Sequence, residues 1–371
     1  MSHSSQSSKK KIILTGGAGF VGTTLALAFR RLRPEWDLLA VDNLIRPGSE
    51  GNRSRLKAAG IPFRHADLRV RSDIDSLPKA DWLIDAAANA SVLAGLDGDN
   101  GSRQLIEHNL GGTIDLLEYC KRHRAGFLLL STSRVYSIPE LAAIPVDLLD
   151  GAFTPDPARR TEWPAGLSEE GVSTAFSTRP PVSLYGTTKL ASELLALEYA
   201  SAFGFPAVIN RCGNLAGAGQ FGRIDQGIFA YWINAWLHKK SLKYIGFDGR
   251  GHQVRDCLHP DDLAELLVAQ IDDPEIAKGN APALQNVSGG RDRAISLRNL
   301  SEWCEKHLGL HAVDAVPQTR PFDIPWMVLD ASVARARWNW APKHSLESIF
   351  AEIADHARAH PRWIETCLAE S

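Results

Sequence analysis

A tyrosine and a lysine stand four residues apart in the stretch PVSLYGTTKLASELLALEYASAFG, residues 181–204. The apolar spacing of this stretch predicts a helix on which Tyr185 and Lys189 share one face. A nearby ammonium favours the ionised phenol and lowers the pKa of a tyrosine from about 10 toward working pH. Such a phenol can take the proton of a carbinol hydroxyl while a hydride leaves the same carbon. The alternative interpretation is a helix start that carries a solvated lysine.

A hydroxyl at the end of an apolar run completes this chemistry. The stretch LLLSTSRVYS, residues 128–137, contains the end of a predicted strand. Ligands of open α/β sheets bind at the carboxyl ends of strands. Among Ser131, Thr132 and Ser133, we predict that Thr132 holds the reacting oxygen by a hydrogen bond. The predicted catalytic residues are therefore Thr132, Tyr185 and Lys189.

A glycine-rich turn predicts the cofactor site. In ILTGGAGFVGTTLALAF, Gly16, Gly19 and Gly22 follow a predicted strand and open a predicted helix. Glycines there allow a tight turn and bring the backbone close to a pyrophosphate at the helix N-terminus. Asp42 ends the next strand, where a carboxylate meets the ribose hydroxyls of an adenosine and disfavours a 2′-phosphate. The pattern predicts NAD rather than NADP, the alternative being glycines that serve a turn alone.

Further positions in the same order extend this site. Asp67 and Leu68 end the third predicted strand, where an acid can accept a hydrogen bond from an adenine amino group. Alanines end the fourth strand and leave room for a cofactor to lie across it. The cofactor-binding residues predicted so far are Gly16, Gly19, Phe20, Val21, Gly22, Asp42, Asn43, Asp67, Leu68, Ala86, Ala87, Ala88, Tyr185 and Lys189.

The elements that must position these residues alternate between strands and helices, which favours a parallel sheet covered by helices. Predicted strands span 11–16, 37–42, 61–67, 81–87, 126–132 and 206–211, with a strand-like run at 242–247. Predicted helices span 20–33, 102–123, 225–239, 260–271 and 344–360. The predicted fold class is α/β, a Rossmann-type doubly wound parallel sheet with a smaller C-terminal α/β substrate-binding domain.

Changes in composition predict the domain boundaries. The serine-rich, basic start predicts a disordered leader over 1–10, and an NAD-binding Rossmann domain follows over 11–211. Residues 137–183 hold several prolines and little periodicity, and they predict a long loop inside that domain. Residues 212–343 are predicted to be mainly the substrate-binding region, with some segments returning to the Rossmann core. Residues 344–371 are predicted to form a C-terminal helix and tail.

The bulk composition excludes several classes of protein. The chain has 371 residues, 44% of them hydrophobic, and a formal net charge of −2, so nucleic acid is not an expected partner. Its five cysteines are scattered and never form a CxxC pair, so we expect reduced thiols and no metal site. No uninterrupted apolar run approaches the roughly 18 residues of a membrane span. We expect a soluble, cytoplasmic protein that does not bind membranes.

Taken in order, GGAGFVG, Asp42, Asp67-Leu68, EHNLGGT, STSRVY and YGTTK resemble the extended short-chain dehydrogenase/reductase family, in its nucleotide-sugar epimerase and dehydratase branch. The resemblance covers about residues 11 to 350. It implies an NAD-dependent enzyme of nucleotide sugars in which Thr132, Tyr185 and Lys189 form the Ser/Thr–Tyr–Lys catalytic group. It also implies that Asn109 supports the cofactor site from the helix behind it. A homodimer through the helices near 102–123 and 188–203 is a further implication.

Two arginines from separate segments predict where a diphosphate binds. Arg255 lies in GHQVRDCLHPDDL and Arg320 in TRPFDIPWMVLD, and guanidinium groups match phosphate oxygens. Surface ion pairs are the alternative. GNLAGAGQFGRIDQGIFAYWI, residues 213–233, resembles the CDP-paratose 2-epimerase subgroup, in which Gln-Phe precedes Asp-Gln-Gly. The predicted substrate-binding residues are Asn89, Thr132, Asn214, Gln220, Phe221, Asp225, Gln226, Arg255 and Arg320.

The resemblance implies an epimerase of a nucleotide-activated hexose, with C2 of a CDP-sugar as the reacting position. The sugar is oxidised to a transient keto sugar, and the hydride returns to its opposite face. The alternatives are a UDP-hexose 4-epimerase, a reductase or dehydratase of the same family, and a non-catalytic nucleotide sensor. Ser133 and Arg134 follow Thr132 where dehydratases of this branch carry an acid, which argues against 4,6-dehydration.

Overall fold

A seven-stranded parallel sheet forms the centre of the protein. The computed structural model describes residues 9–90, 101–223, 226–278, 284–318 and 323–368. Its strands are β1 (Lys11–Thr15), β2 (Asp37–Asp42), β3 (Phe63–His65), β4 (Trp82–Asp85), β5 (Gly126–Thr132), β6 (Val146–Leu149), β7 (Ala152–Pro155), β8 (Ala207–Cys212), β9 (Asn214–Leu215), β10 (Leu242–Ile245), β11 (Val254–Leu258), β12 (Leu284–Val287), β13 (Ala294–Ser296), β14 (Val313–Val316) and β15 (Trp326–Met327). The central sheet runs β12-β8-β5-β4-β1-β2-β3 with parallel neighbours. This order confirms the predicted doubly wound Rossmann-type fold.

Helices cover both faces of this sheet. The helices in the described part of the protein are α1 (Phe20–Leu32), α2 (Asn52–Ala58), α3 (Arg71–Asp75), α4 (Gly101–Ile106), α5 (Gly112–His123), α6 (Ile138–Ala142), α7 (Ser183–Phe203), α8 (Ile228–Leu237), α9 (Pro260–Asp272), α10 (Pro274–Ala277), α11 (Leu297–Leu308), α12 (Ser332–Trp338), α13 (Leu346–Ala359) and α14 (Trp363–Leu368). On one face α1 and α9 bury Phe29 and Leu266 against the sheet. On the other face α5 and α7 bury Leu117 and Ala196. Both faces of the sheet are therefore shielded from water, which explains the continuous apolar runs of the strands.

Two predicted helices differ from the observed ones. The predicted helix over 102–123 is interrupted by a turn of π-helix at Glu107–Gly111, which lies between α4 and α5. The predicted start at 225 is too early, because α8 begins at Ile228. Gly227 precedes it with a φ of 72°, a left-handed conformation that a right-handed helix does not continue through.

Residues 137–183 contain short regular elements that their proline-rich sequence does not predict. Helix α6 is followed by β6 and β7, which pair as an antiparallel hairpin. Phe176 and Val172 are buried in one cluster with Tyr136 and Trp326, and the Val172 N–H donates to the carbonyl of Val328 at 2.8 Å. The segment therefore packs onto β15 beside the carboxyl end of β5.

The C-terminal part builds a second, smaller core. Strand β11 pairs with β9, β13 and β15, and β10 pairs with β14. Helices α8, α11 and α13 enclose this core through Trp232, Leu300 and Phe350. Strand β12 and helix α9 instead belong to the central sheet and its covering layer. Within the described ranges, no helix has the length and hydropathy that crossing a bilayer requires.

The end of the predicted leader is part of the fold. Residues 1–8 lie outside the described residues. Lys10, which the prediction assigned to the leader, donates through Nζ to the carbonyl of Ile271 at 2.9 Å and to Asp272 at 2.5 Å. These contacts tie the chain before β1 to the end of α9.

Candidate active site

A cavity of about 300 Å³ opens at the carboxyl ends of the central strands, below the C-terminal part. Side chains from both parts of the protein line it. They include Val21, Ala86, Ala88, Ser131, Thr132, Ser133, Arg134, Tyr185, Lys189, Cys212, Asn214, Gln220, Gln226, Gln253, Arg255, Ile295, Leu297 and Asp323. The strand order reverses between β1 and β4, which are neighbours in the middle of the sheet. Open α/β sheets bind ligands beside the carboxyl ends of the strands at such a reversal.

The turn from β1 to α1 has no room for side chains at its glycines. A Cβ added to Gly22 would lie 2.1 Å from the carbonyl oxygen of Gly16, and one on Gly16 would lie 2.7 Å from that of Ala86. Helix α1 then begins after Gly19 with no side-chain cap and no acidic residue in its first turn. Its first amide groups are therefore available to an anion. This cradle fits the pyrophosphate of a dinucleotide.

Asp42 lies directly beside this turn. Its carboxylate accepts the N–H of Ala18 at 3.1 Å and the N–H of Leu44 at 2.7 Å. Burial raises the pKa of Asp42, and these two backbone donors oppose that rise. The predicted ribose contact stays a prediction, and the position at the end of β2 is the one that it requires.

Asp67 does not offer the free acceptor that the sequence suggested. Its carboxylate accepts the backbone N–H, Nε and Nη2 of Arg69 and also Nδ2 of Asn43, at 2.7 to 3.2 Å. Four donors occupy the roughly four lone-pair sites of a carboxylate. The Arg69 guanidinium holds the pKa of Asp67 well below its usual range. Asp67 therefore fastens Arg69 and Asn43, and its predicted contact to adenine is not supported by these contacts.

Asn109 joins the cofactor side of the site to the helix of Tyr185. It lies on the π turn and is 3% exposed. Its Oδ1 accepts the N–H of Asn89 at 2.9 Å, while Nδ2 donates to the carbonyl of Asn89 and to Thr188 Oγ1. The chain after β4, including Ala86 and Ala88, is thereby held against α7. The Asn89 side chain is exposed and does not line the cavity, so the structure does not place it at a substrate.

Thr132, Tyr185 and Lys189 meet in the cavity as predicted. Thr132 ends β5, and its Oγ1 accepts the N–H of Arg134 at 3.2 Å. The prediction that Lys189 lowers the pKa of Tyr185 is wrong for this arrangement. Burial raises the pKa of Tyr185 to about 12, and the opposing influences come from the Thr132 hydroxyl and the Arg134 charge. Desolvation of the phenol outweighs both.

Lys189 is a buried ammonium that needs a partner. Its side chain is 2% exposed, and its Nζ has no hydrogen bond to any residue that the structure describes. Buried charged groups are normally paired or hydrogen-bonded. The hydroxyls of a ribose reaching into the cavity from the α1 cradle would supply the missing acceptors. The residues present therefore fit NAD at both ends of the site.

A buried ion pair that sequence reasoning missed holds the catalytic helix in place. Glu193, four residues after Lys189 and on the same face of α7, pairs with Arg211 of β8 at 2.7 Å. Its other oxygen accepts the hydroxyl of Ser131, next to Thr132. Both charged side chains are at most 6% exposed. The four-residue spacing Tyr185, Lys189, Glu193 was the available signal.

The structure brings some of the predicted substrate residues to the cavity and not others. Asn214, Gln220, Gln226 and Arg255 line it. Phe221 does not: its ring stacks on Trp363 at 5.1 Å and lies in a cluster with Phe20 and Cys367. Its partner Trp363 lies 142 positions away in α14, so local sequence could not reveal this contact. Asp225 and Arg320 lie outside the described residues.

Arg134 and Gln253 are among the residues of the cavity wall that were not predicted as site residues. Arg134 follows Thr132 closely and lines the cavity beside Tyr185. Gln253 precedes β11 two positions before Arg255, and alternate residues of an extended chain share a face. The spacing from Arg255 was the signal for Gln253.

A cluster of potential metal ligands lies elsewhere. Ligand atoms of His259, Asp261 and His344 fall within 4.8 Å of one another. Both ring nitrogens of His259 have partners, because Nδ1 accepts the N–H of Asp261 and Nε2 lies 2.9 Å from Glu352. His344 is paired with Asp262 at 2.9 Å. Hydrogen bonds within the protein therefore account for the proximity of His259, Asp261 and His344.

Several known proteins resemble this chain over most of its length. CDP-paratose 2-epimerase of Salmonella typhi is 29% identical over 360 residues, which cover 93% of this chain and 98% of that protein. UDP-glucose 4-epimerase of Azospirillum brasilense is 26% identical and covers 90% of this chain and 88% of its own length. The crystal structure of UDP-glucuronic acid 4-epimerase from Bacillus cereus, with UDP-glucuronic acid and NAD, is 25% identical. It superposes with a TM-score of 0.74 over 94% of this chain and 99% of that one.

The match to a family model extends over most of the chain. The model of the NAD dependent epimerase/dehydratase family matches residues 12–282. This range contains the glycine turn, the end of β5 and the helix of Tyr185 and Lys189. The predicted cofactor, NAD, is confirmed by this family and by the solved neighbour that contains it. The chain therefore belongs to the NAD dependent epimerase/dehydratase family.

Proposed function

We propose that this enzyme inverts C2 of a CDP-activated hexose. The observation that carries the proposal is the similarity to CDP-paratose 2-epimerase over 93% of this chain, and Asn214, Gln220 and Gln226 in the cavity wall are consistent with it. The cavity joins a dinucleotide cradle to Thr132, Tyr185 and Lys189, as an oxidation and re-reduction at one carbon requires. The assigned site residues are part of this proposal.

Each catalytic group has one task in the reaction. NAD bound at the α1 cradle would supply the hydride acceptor for C2 and the hydride donor for the return. The Tyr185 phenolate accepts the proton of the C2 hydroxyl, and Thr132 donates a hydrogen bond to the same oxygen. Lys189, whose ammonium can donate three hydrogen bonds, would bind the ribose hydroxyls of the cofactor beside this phenol. The resulting 2-keto sugar turns its other face to the cofactor, Tyr185 gives the proton back, and nothing is consumed.

Arg134 favours epimerisation over dehydration. It lines the cavity and stands two residues after Thr132, where the sequences of related dehydratases carry an acid. A guanidinium stays protonated at neutral pH and is therefore a poor proton donor. We assign the diphosphate to Arg255, which lines the cavity with its guanidinium oriented by the carbonyls of Val254 and Ile324, and to Arg320.

The decisive experiment is NMR of the purified enzyme with CDP-hexoses and UDP-hexoses in deuterated water, without added cofactor. We expect a new CDP-sugar isomer that is inverted at C2 and carries no deuterium there, because the hydride returns internally. Inversion at C4 of a UDP-hexose would replace the proposal by a UDP-hexose 4-epimerase. Consumption of added NAD(H) without isomer formation would replace it by a reductase or dehydrogenase.

We further propose that the enzyme is a homodimer through α4, α5 and α7. These helices carry large apolar side chains that are exposed in the single chain: Ile106 at 44%, Ile114 at 39%, Leu194 at 59% and Phe203 at 40%. Exposed apolar side chains gathered on neighbouring helices favour association. The five buried, free cysteines agree with the reducing cytoplasm, where we place the enzyme.

Leu194→Glu is expected to convert this dimer into a monomer, because each copy would bury a carboxylate in the apolar interface. Light scattering after size-exclusion chromatography measures the mass. Leu310→Glu is the matched control, since Leu310 is 79% exposed and lies outside these helices. Equal masses of wild type and Leu194→Glu would contradict this interface.

A further inference from the structure

Two glutamines in the cavity wall have buried amide oxygens without a hydrogen-bond partner in the described part of the chain. Gln253 is 7% exposed, and its Oε1 is buried without a hydrogen-bond partner in the described part of the chain. The Oε1 of Gln220 is likewise buried and unpartnered there. Both residues line the cavity. Buried acceptors are rarely left unpaired in native proteins, so these two fit a ligand that brings hydrogen-bond donors.

The orientation of each amide is fixed by its other end. Gln253 Nε2 donates to the carbonyl of Ile245 at 2.8 Å, and Gln220 Nε2 donates to the carbonyl of Leu215 at 2.7 Å. A backbone carbonyl can only accept, so the nitrogen of each amide must occupy that position. A flipped amide would place oxygen against oxygen. The group that each glutamine leaves unpaired in the cavity wall is therefore an acceptor and not a donor.

Gln253 lies at the end of the cavity remote from Tyr185. Strand β9, which follows Cys212 beside Lys189, pairs with β11 so that Asn214 is opposite Cys257. Gln253 precedes Cys257 by four residues, about 13 Å along an extended chain. Arg255, the proposed diphosphate ligand, lies between them. A sugar at Tyr185 and a diphosphate at Arg255 leave the nucleoside at Gln253.

The surroundings of Gln253 suit a planar base. Strand β13 pairs antiparallel with β11, with Ile295 opposite Arg255 and Ser296 opposite Val254. This register brings Leu297 opposite Gln253. Ile295 and Leu297 both line the cavity and provide an apolar wall. An apolar wall with a single fixed acceptor is typical of a specificity pocket.

We propose that Gln253 accepts a hydrogen bond from the exocyclic amino group of the nucleobase, so that the pocket selects cytidine over uridine or thymidine nucleotides. This inference rests on the function proposed above. Cytosine carries an amino donor where thymine and uracil carry a carbonyl acceptor. A carbonyl facing Gln253 Oε1 would leave two buried oxygens without a proton between them. A site built around a polar contact rejects ligands that cannot make it.

The first test changes the ligand alone. Isothermal titration of the holoenzyme with CDP, UDP and 4-deamino-CDP, whose ring carries hydrogen in place of the amino group, gives three dissociation constants. We expect CDP to bind about 10- to 100-fold more tightly than either of the others. Binding of UDP or 4-deamino-CDP as tight as that of CDP would overturn the assignment of Gln253 and leave the epimerase proposal standing. Failure of every nucleotide to bind would overturn both.

The second test changes the protein. Gln253→Met keeps the length of the side chain and removes the acceptor, and we expect the ratio of the UDP and CDP dissociation constants to fall toward one. Gln220→Met is the matched control, because it removes the other unpaired oxygen, and we expect it to keep the ratio. An unchanged ratio in folded Gln253→Met would assign base selection to another residue.

Discussion

Tyr185→Phe is expected to lower turnover of the nucleotide sugar by about three orders of magnitude, within the range that a positioned acid–base group contributes. The variant loses one oxygen atom, so the buried ring still fills its place between α7 and the cavity. Substrate affinity and bound NAD should change little, because the phenol acts on the proton that moves in the reaction. Quenched-flow assays for kcat and titration calorimetry for substrate binding separate the two effects.

Tyr199→Phe is the control for this change. Tyr199 lies on the same helix, and its hydroxyl donates to Glu118 at 2.9 Å, away from the cavity. Its loss should leave kcat close to that of wild type. If Tyr185→Phe kept more than about a tenth of wild-type turnover, the role of general base would pass to another group in the cavity.

Gly22→Ala is expected to abolish NAD retention and to destabilise the fold. The new Cβ would lie 2.1 Å from the carbonyl oxygen of Gly16, a backbone atom that a rotamer change cannot move. The turn between β1 and α1 must open to relieve this overlap, and overpacking of this kind costs about 1–3 kcal/mol. NAD released from the denatured protein and the midpoint of urea unfolding measure the two effects.

Gly51→Ala separates the general effect of an added methyl from this overlap. Gly51 has a φ of −62°, and no atom lies within 4 Å of a Cβ built there. We expect its unfolding free energy to change by less than about 1 kcal/mol and its NAD content to stay at the wild-type level. A Gly22→Ala protein that is purified with a full complement of NAD would contradict the cradle described here.

Those parts of the fold that depend on continuous apolar runs were predictable from sequence. Strands β2 and β5 have their predicted bounds, because both faces of a central parallel sheet are buried. The edge strand β3 is shorter than predicted, at Phe63–His65. Short elements such as the hairpin of β6 and β7 could not be predicted, because their stability comes from packing against distant residues such as Trp326.

The site residues were predictable where a local motif places them. They were not predictable where contacts between distant parts of the chain determine their position or their pKa. The glycine turn and the pair Tyr185 and Lys189 are set by spacing within one or two elements. The position of Phe221 depends on Trp363, and the electrostatics of Tyr185 depend on how deeply the fold buries it. Sequence spacing can indicate that a charge such as that of Lys189 lies near the Tyr185 phenol. It does not reveal how far the fold desolvates the phenol, and this desolvation raises the pKa.

The π turn at Glu107–Gly111 changes the direction around the helix axis in which the side chains after it point. Each residue of an α-helix advances the side-chain direction by about 100°, and a π turn holds one residue more than an α turn. The register between α4 and α5 is therefore offset by this angle, and Asn109, on the turn itself, reaches Asn89 and Thr188 together. Deletion of a single residue here would restore regular winding and rotate Asn109 out of that alignment. The coupling between the cofactor strand and the catalytic helix thus depends on one surplus residue, which makes this turn intolerant of length variation.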